Sequence, residues 1–285
     1  MDRSPEVDFW DSPAGLRFRR LWWKHKSPKA TMVIVHGHGE HAGRHQTIVD
    51  GIGDLPLDIQ SFDLRGHGES QGGRGDAEGL DGLADDFEAI FPTMLERAGT
   101  EDVFVFGHSM GGAVVGHYAT TRSVHPAIRG LIFSSPAMLI PRSPAVKVKL
   151  MIGNVLGKLV PKLTLPTGLA ATGISSVPAE VTRYQNDPLI HDKISARLGV
   201  SLVDDGEAIP MHAGKITLPS LVYHGSNDPI CDIEGSRALA RGLGTDDVTF
   251  EELEGYAHEC HHESEEKRKR VFSLIHDFIA PRLGA

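Results

Sequence analysis

Val103-Phe104-Val105-Phe106-Gly107-His108-Ser109-Met110-Gly111-Gly112-Ala113 joins an apolar run to a helical pattern through a glycine-flanked serine. Its apolar start reads as a buried strand, and a helical pattern over Gly111 to Thr121 follows directly. Between them lies Gly-x-Ser-x-Gly. A strand-to-helix turn this sharp puts Ser109 in a strained backbone conformation, and side chains at Gly107 and Gly111 would collide with it. The helix N-terminus also offers the N–H of Met110 to an oxyanion. Ser109 is therefore the candidate nucleophile.

Outward from this turn, six further β-rich runs alternate with helical patterns: Leu16 to Trp23, Met32 to His36, Leu57 to Asp63, Arg129 to Ser134, Ser220 to His224 and Val248 to Leu253. Several are continuously apolar, which predicts a mostly parallel sheet covered by helices on both faces, an α/β architecture. Near the C-terminus, Val271, Leu274, Ile275, Phe278 and Ile279 follow helical spacing, with Ser264 as cap and Pro281 as stop. The alternation breaks over residues 137–215, where no convincing strand is visible. That stretch reads as an insertion between two core segments, 1–136 and 216–285. Within it Ser143 and Pro144 open a helix predicted over Ala145 to Val160, apolar almost all round. No Asp or Glu occurs between Asp102 and Glu180, while Arg142, Lys147, Lys149, Lys158 and Lys162 cluster there. A basic, apolar segment of this kind can rest against an anionic lipid surface, or serve as a lid packed on the sheet domain.

The 285 residues carry 29 basic and 38 acidic side chains, a formal charge of −9, which argues against a dedicated nucleic-acid binder. At 40% apolar and 24% charged residues the composition is that of a globular protein. The two cysteines, Cys231 and Cys260, are too few for a disulfide framework. No apolar run approaches the roughly 18 to 20 residues that span a bilayer, and Met1 to Trp10 lacks the pattern of a secretory signal. The expectation is a cytoplasmic protein, peripheral to a membrane at most.

A serine hydroxyl needs a base at neutral pH, and the base needs an orienting carboxylate. Asp228 follows one late strand in His224-Gly225-Ser226-Asn227-Asp228-Pro229, and His258 follows the last in Gly255-Tyr256-Ala257-His258. The order Ser, Asp, His is that of nucleophile-elbow hydrolases. A second oxyanion donor is expected in the glycine-rich His36-Gly37-His38-Gly39-Glu40-His41, with the N–H of His38 as candidate. Two metal readings compete. Four histidines fall between His36 and His45, but no carboxylate or cysteine pattern elsewhere completes a site. His258-Glu259-Cys260-His261-His262 satisfies His-Glu-x-x-His, yet the helix cap, Ser264, comes after it and the stretch has one apolar residue. No metal is expected.

Together these segments resemble the monoacylglycerol lipase and lysophospholipase family of α/β-hydrolases. The similarity rests on residues 36–44, 62–70 and 107–112, on Asn186-Asp187-Pro188-Leu189, on 224–228 and on Ala257-His258-Glu259, in one order along nearly the whole chain. It implies an eight-stranded core with a helical cap inserted after the sixth strand, no cofactor, a small lipid ester as substrate, and no obligate protein partner. It also implies Ser109, Asp228 and His258 as the catalytic set, with the N–H groups of His38 and Met110 as the oxyanion hole. Where the family usually shows Arg-Tyr, this chain has Arg44-His45. Glu40, Arg44 and His261 are the candidates for holding a small polyol, glycerol by resemblance. Met138, Leu139, Ile140, Leu150, Ile152 and Leu156 are candidates for an acyl tunnel. The alternatives on this scaffold are a lysophospholipase or another carboxylesterase or thioesterase; a zinc peptidase and a non-catalytic binding protein fit less well. Cys231 and Cys260 are expected near the site.

Overall fold

A computed structural model describes residues 3–141, 153 and 155–284. The central sheet has eight strands: β1 (Glu6–Asp11), β2 (Arg17–Trp23), β3 (Ala30–Val35), β4 (Leu57–Phe62), β5 (Val103–His108), β6 (Ile128–Ser134), β9 (Ser220–Gly225) and β10 (Val248–Leu253). Two short strands, β7 (Thr164–Pro166) and β8 (Lys193–Ser195), lie between β6 and β9 in the chain and pair only with each other. The spatial order in the large sheet is β1-β2-β4-β3-β5-β6-β9-β10. Only the β1–β2 and β2–β4 pairs are antiparallel; β4, β3, β5, β6, β9 and β10 run parallel. This is the α/β-hydrolase architecture.

The period of two along each central strand explains the layering. In β3, Val33 and Val35 point into a core shared with α2 (Gly79–Arg97) and α3 (Met110–Thr121), among them Phe87, Ile90 and Val114. Met32 and Ile34 point the other way, towards Ile48 of α1 (Gln46–Gly51) and Val271, Ile275 and Phe278 of α7 (Glu265–Ile279). A strand buried on both faces is apolar throughout, which is why these runs are visible in the sequence. The hydroxyl of Ser264 accepts the N–H of Lys267 at the start of α7, as its capping role requires.

The eighth strand, β1, escaped the sequence reading. It lies at the sheet edge, hydrogen-bonded to β2 alone, with Val7 and Phe9 exposed and three acidic residues among six. The reading of residues 137–215 as strandless is also corrected, since β7 and β8 form an antiparallel pair there. That segment further holds α4 (Pro178–Asn186) and α5 (Ala196–His212). Leu198 and Ile209 of α5 belong to the core under α2 and α3. The cap at Ser143 and Pro144, and Leu150, Ile152 and most of the helix predicted over Ala145 to Val160, lie outside the described residues. Of its end, Val155, Leu159 and Val160 are exposed.

Candidate active site

The parallel strands all end on one edge of the sheet, and the loops that leave them supply the site. Ser109 follows β5 directly and occupies the N-cap of α3 at φ 52°, ψ −121°, one of two non-glycine residues with positive φ among those described. The flanking glycines have no room for a side chain, although what a side chain would meet is not Ser109 itself: a Cβ on Gly107 would lie 2.7 Å from the Gly111 carbonyl oxygen, and one on Gly111 2.1 Å from that of Val35. The strain is held by backbone bonds, with Ser109 N–H donating to Ser134 O at 3.0 Å and Ala113 and Ala137 N–H donating to Ser109 O at 3.1 and 3.0 Å.

Asp228 sits in the turn after β9, its carboxylate 1% exposed. Oδ1 accepts the backbone N–H groups of Ile230 (2.7 Å) and Cys231 (3.0 Å), while Oδ2 lies 2.6 Å from Nδ1 of His258 and 3.0 Å from Nε2 of His224. Burial pushes this carboxyl upwards, but His258 and His224 together hold it far below the usual carboxylate range. Burial alone would lower His258; the facing Asp228 anion outweighs it and raises the imidazole above its ordinary value of 6.5. The His258 loop is itself anchored, for Glu259 N–H donates to Ile174 O at 2.7 Å and the Glu263 carboxylate accepts Ala257 N–H at 2.9 Å.

Ser109 and His258 open onto one cavity, walled also by Gly37, His38, Glu40, His108 and Glu259 on the core side and by Leu169, Ala171, Ile174, Tyr184 and Ile230. The loop bearing His38 is fixed by its neighbours: Gly37 N–H donates to Glu40 Oε1 at 2.6 Å, and Gly39, at φ 77°, has no room for a Cβ because His191 O would lie 2.4 Å away. Burial, then His258, pushes His108 down to about 3, so it is a neutral ring at 4.9 Å from the His258 ring.

Of the three residues expected at the polar end, only Glu40 lines this cavity. Arg44 is turned to the two carboxylates, its Nε donating to Glu40 Oε2 at 3.2 Å and its Nη2 to Glu259 Oε2 at 2.5 Å, with the Tyr184 ring centre 4.8 Å from its guanidinium. His261 is buried behind them, stacked on His45 at 5.4 Å between ring centres, with both its nitrogens unpartnered. Met138 packs into the core, where its Cε stands 2.9 Å from the place a Cβ on Gly116 would take. Leu139 lies against Gly235, Ile140 packs on the edge of the same core, and Leu156 is half-buried; none of them lines the cavity described here. Sequence reasoning missed Glu259, Tyr184 and the apolar wall at Leu169, Ala171, Ile174 and Ile230. Only Glu259 carried a signal, its place directly after His258.

The His-Glu-x-x-His stretch forms no α-helix: Glu259 sits at φ −89°, ψ 76°, and Cys260–His262 is a single tight turn. His262 pairs with Glu259 at 2.7 Å, away from Asp228. Among the described residues, Asp228, Cys231 and His258 are the one group whose ligand atoms fall within 4.8 Å of one another. Cys231 is thus beside the site, where burial pushes its thiol well above the ordinary thiol range. Cys260 lies 3.8 Å from the Ser135 hydroxyl, its thiol pushed up to about 12 by burial.

Comparison with known proteins bears on the family and the fold. The family model described as serine aminopeptidase, S33 matches residues 26–265. A monoacylglycerol lipase of Mycolicibacterium smegmatis is 31% identical over 249 residues, covering 87% of each chain. The crystal structure of Paleococcus ferrophilus monoacylglycerol lipase superposes with a TM-score of 0.81 at 32% identity, over 96% of this chain and 99% of that one. A soluble variant of the Saccharomyces cerevisiae monoglyceride lipase in complex with a substrate analog has the same fold, with a TM-score of 0.89 at 22% identity over 99% of this chain and 97% of that one.

Proposed function

The chain belongs to the serine aminopeptidase S33 family of α/β-hydrolases, the family of the monoacylglycerol lipases, and from that premise we propose that it hydrolyses monoacylglycerols to fatty acid and glycerol with Ser109, His258 and Asp228 as a catalytic triad. The observation that carries the reading is the 2.6 Å Asp228–His258 pair, whose imidazole lines the same cavity as a serine held at positive φ. His258 takes the Ser109 proton as the hydroxyl attacks the ester carbonyl. Asp228 keeps the proton on Nδ1 and opposes the imidazolium charge that forms. The developing oxyanion meets the N–H groups of His38 and Met110, each such donor being worth about 3 kcal/mol in the transition state. Glycerol departs with the proton from His258, and water repeats the sequence on the acyl-enzyme.

Residues 137–215 act as a cap over the site, since Leu169, Ala171, Ile174 and Tyr184 all come from this stretch. The acyl chain lies along Leu169, Ala171, Ile174 and Ile230, each buried methylene contributing roughly 0.8 kcal/mol. At the other end the wall carries two carboxylates, Glu40 and Glu259, with Arg44 between them. This balance favours a neutral polyol over a phosphate, which two anions would repel. Among the described residues no helix is long and apolar enough to cross a membrane. The cap does expose Val155, Leu159, Val160, Leu163 and Leu165 beside Lys158 and Lys162, a surface suited to transient contact with an anionic bilayer.

The test is hydrolysis of monoacyl-, diacyl- and triacylglycerols and lysophosphatidylcholine by the wild type and by Ser109→Ala. Preference for the monoacylglycerol, abolished by the substitution, is expected; strong triacylglycerol or lysophosphatidylcholine turnover would displace the assignment.

A further inference from the structure

His224 lies on β9, just before the turn that carries Asp228, and takes no part in the proton transfers above. It stands near the end of β9, completely buried. Its Nε2 faces two oxygens that can only accept, Asp228 Oδ2 at 3.0 Å and the Cys231 carbonyl at 3.2 Å. Nε2 must therefore carry a proton, since a bare nitrogen would set three lone pairs against one another. In the neutral ring that leaves Nδ1 as the acceptor, and the Ser236 hydroxyl of α6 (Ile233–Gly242) stands 2.7 Å from it. The Asp228 and Cys231 oxygens thus fix the tautomer, and the hydroxyl, able to donate or accept, complements it by donating to Nδ1.

We propose that Ser236 and His224 extend the chain Ser109–His258–Asp228 by two members, with His224 as a positioning residue for the Asp228 carboxylate; this rests on the triad reading above. Each carboxylate oxygen then receives two donors: backbone N–H groups of Ile230 and Cys231 on Oδ1, and the His224 and His258 rings on Oδ2. Rotating the carboxylate would break bonds at both oxygens, so Oδ2 stays aimed at His258. His224 also shares the charge on Oδ2, which limits how strongly Asp228 holds the proton of His258. The other ionisable groups facing this assembly are Glu40, Glu259 and His108 around His258, and Cys231 beside Asp228. All four remain in place in the variants below.

The experiment compares His224→Leu, His224→Gln and Ser236→Ala in the full chain. A hydrogen bond to a charged group predicts roughly a 10- to 100-fold lower kcat for His224→Leu with KM changed less than about twofold. The acid limb of its kcat/KM profile moves to higher pH, because Oδ2 now acts on His258 alone. His224→Gln, whose amide N–H can reach Asp228, returns to within about threefold of wild type, and Ser236→Ala falls between. In wild-type protein with ¹⁵N-labelled histidine, nitrogen shifts place the His224 proton on Nε2. A folded His224→Leu with unchanged kcat and acid limb, or a His224→Gln variant no better than it, overturns the proposal. If the leucine variant does not fold, a bare Nε2 in the wild-type spectrum overturns it instead. Failure of the triad reading shows separately, as turnover that survives Ser109→Ala and Asp228→Asn, while the tautomer is read without any catalysis.

Discussion

Replacing Asp228 by Asn changes one atom and sets a donor against both hydrogen bonds at Oδ2. Oδ1 is committed to the N–H groups of Ile230 and Cys231, so the Asn oxygen takes that place and its NH₂ faces His258 and His224. Two donors then meet at Nδ1 of His258, and the ring must move its proton to Nε2, the nitrogen that has to accept from Ser109. The lost charge adds to this. An imidazolium and a carboxylate about 4 Å apart between charge centres interact by about 4 kcal/mol at an effective dielectric constant near 20. At 1.36 kcal/mol per decade that is roughly a thousandfold in rate. With the wrong tautomer included, kcat on a monoacylglycerol is expected to fall by about 10³ to 10⁴. KM should change little, because Asp228 is not among the residues lining the cavity. Steady-state kinetics, with circular dichroism and thermal melting to verify the fold, make the assay. A folded Asp228→Asn enzyme within about tenfold of wild-type kcat would refute the reasoning, since neither the charge nor the tautomer would then matter.

Three further expectations follow from the same geometry. Because Asp228 raises His258 above 6.5, the wild-type kcat/KM should be full at alkaline pH and decline as pH drops through a value above 6.5; Asp228→Asn should move that limb downwards, and a flat profile to about pH 5 would exclude His258 as the base. Gly111→Ala drives a methyl group to 2.1 Å from the Val35 carbonyl, an overpacking cost of about 1–3 kcal/mol or more that should lower the melting temperature by several degrees and kcat with it. Arg44→Ala leaves Glu40 and Glu259 buried without their cation, for which about 3–5 kcal/mol of lost stability is expected in denaturant titration, whereas Glu251→Gln, whose ion pair with Arg270 is half in water, should cost well under 1 kcal/mol.

What the sequence reveals tracks how local the physical cause is. Inner runs such as β3 and β5 were legible because burial on both faces makes a strand apolar nearly throughout, and Val33 and Ile34 report that without reference to any partner. β1 was not, because an edge strand with Glu6, Asp8 and Asp11 pairs in the sheet with β2 alone and carries no apolar run. β7 and β8 hid for another reason: three residues ending in Pro166 are too few to show a period. At the site, Ser109, Asp228 and His258 could be placed from turns that follow strands, each a local signal. The roles of Arg44 and Glu40 could not. Arg44 is tied to Glu259, 215 positions away, and that contact determines which polar groups line the cavity. Met138 and Leu169 are both apolar, and nothing in their neighbours in sequence says that the first enters the core and the second the cavity wall.

The central claim is that Ser109 carries the acyl group in the course of the reaction. Rapid acid quenching of the wild-type enzyme during turnover of a slowly hydrolysed ester, followed by intact and peptide mass measurement, tests it directly. The expected result is one acyl adduct on the peptide containing Ser109, absent from Ser109→Ala. An adduct on another residue, or full turnover by Ser109→Ala, would contradict it.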